Sequence, residues 1–198
     1  MSKKPIKLQS ALELFNPSVA ILQQHPLIYF VLLVLPVLFV AVDSIAIVGV
    51  LLTIVFTPAL FVAELKNANG KTIALVDAFK EGYKYFWRII GLGIIVGVLV
   101  IIGLFLFIVP GLVVLRRYAL SPYYLIDQNL SIKSAMEKAA QQTKPYEWDM
   151  YNVIALSILL GLIGLLGLAG LIVGTILQVL YSLAFVLRYY EIKKASKA

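Results

Sequence analysis

Three times along the chain, a short segment with polar and apolar positions at helical spacing leads into two long apolar runs. Each of these cycles closes on an acid: Glu64, Asp127 and Glu191. The apolar runs are Pro26–Val42, Ser44–Ala63, Ile89–Val109, Leu112–Ile126, Tyr151–Leu168 and Leu171–Leu187. A helix needs roughly 17 to 25 apolar residues to cross the hydrocarbon core, so the pattern predicts six membrane spans. The stretch from Val153 to Leu187 is almost unbroken. As one helix it would be about 50 Å long at 1.5 Å per residue, too much for one crossing, which predicts a hairpin near Gly167–Gly170. The expected fold is all-α: six transmembrane helices as three hairpins, each preceded by an amphipathic interfacial helix. One membrane domain, 1–198, would hold pseudo-repeats over about 8–64, 71–127 and 130–191.

The short segments carry their own signals. In Thr72–Arg88, Val76, Phe79, Tyr83 and Phe86 recur at helical spacing, and Asp77, Lys80, Glu81, Lys84 and Arg88 take the opposite face. With Trp87 at its end, this predicts a helix lying in the headgroup layer. The first segment opens with Ser10-Ala-Leu-Glu13, a capping-box pattern, and is expected to break at Asn16-Pro17. The third runs from about Ser131 to Thr143 with a weak apolar face (Ile132, Ala135, Met136, Ala139), suited to packing on protein rather than lipid.

Within each pair the links are short: Asp43-Ser44, the Pro110-Gly111 turn, and the glycine turn. Thr57-Pro58 and Ser121-Pro122 precede the first two closing acids. A proline removes a helix hydrogen bond and the preceding hydroxyl can serve the freed backbone, so Pro58 and Pro122 are expected to kink spans two and four.

Composition and charge place these elements. A hydrophobic content of 62% with 14% charged residues and a mean hydropathy of +0.97 lie outside the range of soluble domains. Three Lys sit at the amino end, five Lys or Arg in Lys66–Arg88, three in Lys133–Lys144 and four in Arg188–Lys197, so all but two of the 17 bases fall on one face. The positive-inside rule then puts both termini in the cytoplasm. The net charge of +7 reads as attraction to anionic headgroups, not to nucleic acid. No short apolar core followed by a small-residue cleavage site follows Met1-Ser-Lys-Lys, so no removed signal peptide is expected.

The two remaining bases, Arg116 and Arg117, fall inside the fourth run. An arginine there costs roughly 2.5 kcal/mol or more even on mild scales, so it should face an interior, a partner or water. Asp43 is the only acid on the outer side, which makes an Arg116–Asp43 or Arg117–Asp43 contact the specific expectation. A structural pair or snorkelling would explain the arginines; so would a lipid phosphate gripped by the planar fork of the guanidinium. Gly93-x-x-x-Gly97 and Gly170-x-x-x-Gly174 fit close helix seams, and Gly161, Gly164, Gly167 and Gly170 fall at threes. His25 stands alone, the chain has no Cys, and Ser157 and Ser182 lack a His or Lys partner within a span. No catalytic set, metal site or cofactor is therefore expected.

The run Ile108-Val-Pro-Gly-Leu-Val-Val-Leu-Arg-Arg-Tyr-Ala-Leu-Ser-Pro, followed by Ser131-Ile-Lys-Ser-Ala-Met-Glu-Lys-Ala, resembles YciC-type bacterial integral membrane proteins. It is also similar to the membrane domain attached to some glycerophosphodiester phosphodiesterases. The shared motif would be Pro110, Gly111, Arg116 or Arg117, and Ser134-Ala135. The resemblance implies a bacterial inner-membrane protein acting in envelope or lipid homeostasis. With no phosphodiesterase domain in the chain, it implies no hydrolase activity. The reading from sequence is thus a non-enzymatic membrane protein that binds or organises phospholipid. A small transporter or channel, or an assembly subunit for a partner protein or a second copy, are the alternatives.

Overall fold

The computed structural model describes residues 8–35, 46–163 and 167–197, and all regular structure among them is helical. The amino-terminal capping box forms as its spacing predicts. The Ser10 backbone N–H donates to Glu13 Oε2 at 2.7 Å and the Glu13 N–H to Ser10 Oγ at 3.3 Å. Helix α1 (Phe15–Gln24) follows. Asn16-Pro17 does not break it, because Pro17 falls in the first turn, where a missing N–H costs nothing. The chain turns instead at His25-Pro26. Helix α2 (Pro26–Tyr29) and a π-helical turn (Phe30–Val34) leave at 102° to α1. The residue before a proline is pushed out of the helical region, and His25 has φ −134°.

Helix α3 (Ala46–Ala68) runs through Pro58 as one helix. Thr57 donates its hydroxyl to the Thr53 carbonyl at 2.6 Å. The helix stops at Gly70, whose φ of +71° lies in the left-handed region that glycine adopts without strain. Helix α4 (Leu75–Tyr83) packs back on α3. A Cβ on Gly82 would stand 2.7–2.9 Å from the Pro58–Ala59 backbone, so only glycine permits this approach. Phe79 meets Phe56 edge-on at 5.0 Å. The helix expected over Thr72–Arg88 is divided at Lys84-Tyr85: Val76 and Tyr83 face outward on α4, and Trp87 faces outward on the next helix.

Helices α5 (Phe86–Leu106) and α6 (Ile108–Tyr118) form a hairpin. The expected turn at Pro110-Gly111 is corrected: the chain reverses at Phe107, which is extended (φ −167°, ψ 156°), and Pro110 and Gly111 lie within α6. Pro110 fits the first turn, where its missing N–H is harmless. Gly111 faces Gly103, and a Cβ on Gly103 would stand 2.7–3.0 Å from the Pro110–Gly111 backbone. The expected fourth span, Leu112–Ile126, is not one helix either. After α6 the chain turns at Ala119-Leu120, and α7 (Ser121–Asp127) carries Pro122 in its first turn. Pro122 starts a helix there and does not kink a continuous one.

Helix α8 (Ile132–Thr143) is capped by Ser131, whose Oγ accepts from the Ser134 N–H at 3.2 Å. Its Ala135 and Ala139 are fully buried on protein, as their small face predicts. A 3-10 turn (Lys144–Tyr146) leads into α9 (Glu147–Leu162), then come α10 (Gly167–Tyr181) and α11 (Ala184–Lys197). The glycine turn expected near Gly167–Gly170 is corrected, because Gly167 to Gly170 lie within α10. The fifth expected span, Tyr151–Leu168, therefore runs past the start of the next helix, and the sixth is cut short by a turn over Ser182-Leu183. Among the described residues two helices, Ile47–Ala68 and Phe86–Leu106, are long and apolar enough to cross a membrane. The bent pair Phe15–Gln24 and Pro26–Val34 would make a third if it is one span, so the six expected spans are not found.

The long helices are divided along their length. One end enters a core built from Tyr29, Val62, Ala63, Leu92, Leu120, Leu125, Met150 and Ile192. The other end, over Ile47–Val55 in α3, Ile94–Leu106 in α5 and Ile158–Leu162 in α9, presents large apolar side chains outward. Exposed apolar area on that scale marks a surface that water does not cover.

Candidate functional site

The predicted Arg116–Arg117 pair is split by the helix. Successive residues on α6 point about 100° apart, so Arg116 turns inward and is 4% exposed, while Arg117 faces out. Arg116 Nη1 lies 2.9 Å from Glu147 Oε1, at the start of α9, and its guanidinium sits 5.7 Å from the Tyr151 ring centre. The approach to Glu147 is an ion pair without hydrogen-bond alignment, and Arg116 Nε has no hydrogen-bond partner among the described residues. Asp43, the partner expected from the sequence, lies outside the described residues. Glu147 escaped the sequence reading because that reading placed it on the inner side with the charged segments. Its one signal was an acid at the head of an apolar run, where the positive end of the helix dipole favours it.

A groove of about 760 Å³ opens between α3, α5 and the α6–α7 junction. Its walls include Ile54, Phe61, Gly93, Gly97, Tyr118 and Pro122. The Gly93–Gly97 stripe was expected to seat a second helix closely, yet a Cβ at either glycine would meet nothing within 4 Å. Thus the stripe floors an open groove within this chain. Tyr118 also walls a second, more polar pocket with Lys133, Glu137 and Gln141. An apolar channel and a charged recess therefore meet at one tyrosine.

The closing acids form a relay between cycles. Tyr123 donates its hydroxyl to Glu64 Oε2 at 2.8 Å, tying the second cycle to the first. Asp127 accepts from the Tyr189 hydroxyl and from Lys193 Nζ, tying the third cycle to the second. Arg188 closes the ring: Nη1 donates to Glu191 Oε2 at 2.8 Å and Nη2 to the Gln9 carbonyl at 2.7 Å. Tyr181 adds a bond to the Ala11 carbonyl at 3.0 Å, and Tyr190 one to the Leu65 carbonyl at 2.9 Å. Burial raises the Tyr189 hydroxyl well above its ordinary pKa and lifts Tyr190 to about 12, with Asp127 adding to both. Both phenols are therefore donors throughout the physiological range. These residues tie one cycle to the next.

Among the described residues no group of three or more His, Asp or Glu side chains is placed to hold a metal ion. Compared with protein-family models, with curated proteins and with solved structures, the chain matches none of them.

Proposed function

We propose that this chain is a non-enzymatic membrane protein that binds phospholipid, with an acyl chain lying in the groove beside Gly93 and Gly97. The observation that carries this reading is the groove itself. It lies in the region where α3 and α5 turn large apolar side chains outward, and it falls within the roughly 300–1,000 Å³ of ordinary ligand sites. Basic residues clustered on the segments around the core supply the attraction to anionic headgroups. The family resemblance, a bacterial inner membrane location and cytoplasmic termini belong to the same proposal. They rest on the Pro110-to-Pro122 motif and on the distribution of lysine and arginine.

Native mass spectrometry of protein released gently from membrane tests this reading. Gly93→Leu and Gly97→Leu put side chains into open space, so they should fold and lose a retained phospholipid. Arg117→Leu should weaken retention of anionic lipid only. Unchanged lipid retention in folded Gly97→Leu protein would overturn the assignment of the groove.

A further inference from the structure

The α5–α6 hairpin is too short on its return arm to cross a bilayer. Its tip, Leu104–Val109, carries no polar side chain, and Phe105 at its end is 90% exposed. Arg117, facing outward, follows the reversal at Phe107 by ten positions. At 1.5 Å per residue that is about 15 Å, half of a hydrocarbon core about 30 Å thick. A tip at the far headgroups would leave Arg117 near the bilayer centre. The Arg116–Glu147 pair holds the head of α9 at the same level, so exposed Glu147 and Trp148, which is 81% exposed, would be drawn into hydrocarbon too. A tip at the bilayer centre puts all of these at the near headgroups, where Arg, Glu and Trp are at home. Helix α5 is long enough to span, but its first turns enter the core through Ile89 and Leu92; Trp87 alone faces outward before them, and the main outward apolar surface starts at Gly93. The freely exposed length, Gly93 to Leu106, is about 21 Å before any tilt.

We propose that the α5–α6 hairpin is a re-entrant wedge whose tip ends among the acyl chains of the leaflet it enters. This rests on the reading of the chain as a membrane protein. Because the sequence has no cysteine, single thiols report position without background. Phe105→Cys and Val109→Cys sit on exposed tip positions, and Gln141→Cys on exposed α8 gives a shallow reference. Each variant is reconstituted in vesicles of phosphatidylethanolamine and phosphatidylglycerol. One sample of each carries a fluorophore on the thiol; another is left unlabelled and exposed to an impermeant maleimide from each side in turn.

The wedge requires both tip probes to be quenched several-fold more by lipids brominated at the chain ends than by lipids brominated near the headgroup. It also requires neither tip thiol to react from either side. Reaction of a tip thiol from the side opposite Gln141→Cys would overturn the wedge in favour of two spans, while leaving groove lipid retention intact. Reaction from the same side as Gln141→Cys, without chain-end quenching, would overturn both the wedge and the membrane reading beneath it.

Discussion

Tyr123 and Glu64 meet at 2.8 Å in the buried core, and the bond joins the second cycle of the chain to the first. The third cycle repeats the arrangement on the second, where Tyr189 donates to Asp127. Glu64 and Asp127 are thus each held by a later cycle, while Glu191 pairs with Arg188 on its own helix, and the cycles lock through polar groups as well as apolar packing. Buried polar atoms must find partners, so this ring fixes which helix ends sit together.

Removing one donor from the ring leaves its acceptor stranded. Tyr123→Phe deletes the hydroxyl facing wholly buried Glu64 and should cost about 1–3 kcal/mol. Tyr83→Phe, on an outward-facing tyrosine, should be neutral within about 0.5 kcal/mol. Thermal unfolding in detergent, followed by size-exclusion chromatography, separates the two. Equal stability of both variants would show that the Tyr123–Glu64 bond contributes nothing net.

The glycines divide by what surrounds them, which gives opposite expectations for the same substitution. Gly82→Ala drives a methyl group into the α3 backbone at 2.7–2.9 Å, where no side chain can swing aside, and should destabilise by about 1–3 kcal/mol. Gly97→Ala enters open space on a helix and should be neutral or stabilising by up to about 1 kcal/mol. The comparison is made by thermal unfolding of both variants under one set of conditions.

Apolar periodicity made the helices legible, and Ser131 made one of their starts legible; the Ser10–Glu13 box closes a turn ahead of α1, which begins after Leu14 without a side-chain cap. Their ends and reversals were less so. A proline reads in sequence as a kink or turn, but Pro17, Pro110 and Pro122 all fall in first turns, where the same ring geometry is accommodated. The true reversal, Phe107, has no turn residue at all. Its position is set by the Gly103–Gly111 approach, a tertiary fact. Glu147 as the partner of Arg116 depends likewise on where α8 delivers the head of α9, which no local pattern encodes. Tyrosines at the ends of apolar runs fit an interfacial belt by pattern alone, whereas Tyr123, Tyr181 and Tyr189 are core residues whose hydroxyls join cycles.

Glu191 gives the stability curve a definite sign. Burial raises its pKa above the ordinary 4.5; Arg188 and the Gln9 backbone pull it down, and Asp149 and Glu13 push it up. The folded state therefore holds this proton more tightly than the unfolded state does. The contribution is fully present below 4.5 and is lost as pH rises through the raised value. Glu191→Gln should flatten that part of the curve, measured as apparent Tm against pH. An unchanged slope would assign the pH dependence to other groups.

Arg116 and Arg117 are neighbours in sequence with opposite environments, so their substitutions should part company. Arg116→Leu strips the partner from Glu147 and empties a buried position. Glu147→Gln leaves the buried guanidinium without its counter-charge. Breaking a buried pair from one side costs about 3–5 kcal/mol, whereas replacing both partners by apolar groups is often neutral. Here Glu147 is about half exposed (47%), so solvent screening should hold Arg116→Leu to the lower part of that range. The double substitution Arg116→Leu/Glu147→Leu should recover part of the loss, and the cycle of four proteins isolates the coupling. Arg117→Leu should leave unfolding unchanged and act only on lipid retention. If Arg117→Leu instead destabilises as much as Arg116→Leu, the outward arginine is a fold element, and its part in lipid binding is refuted.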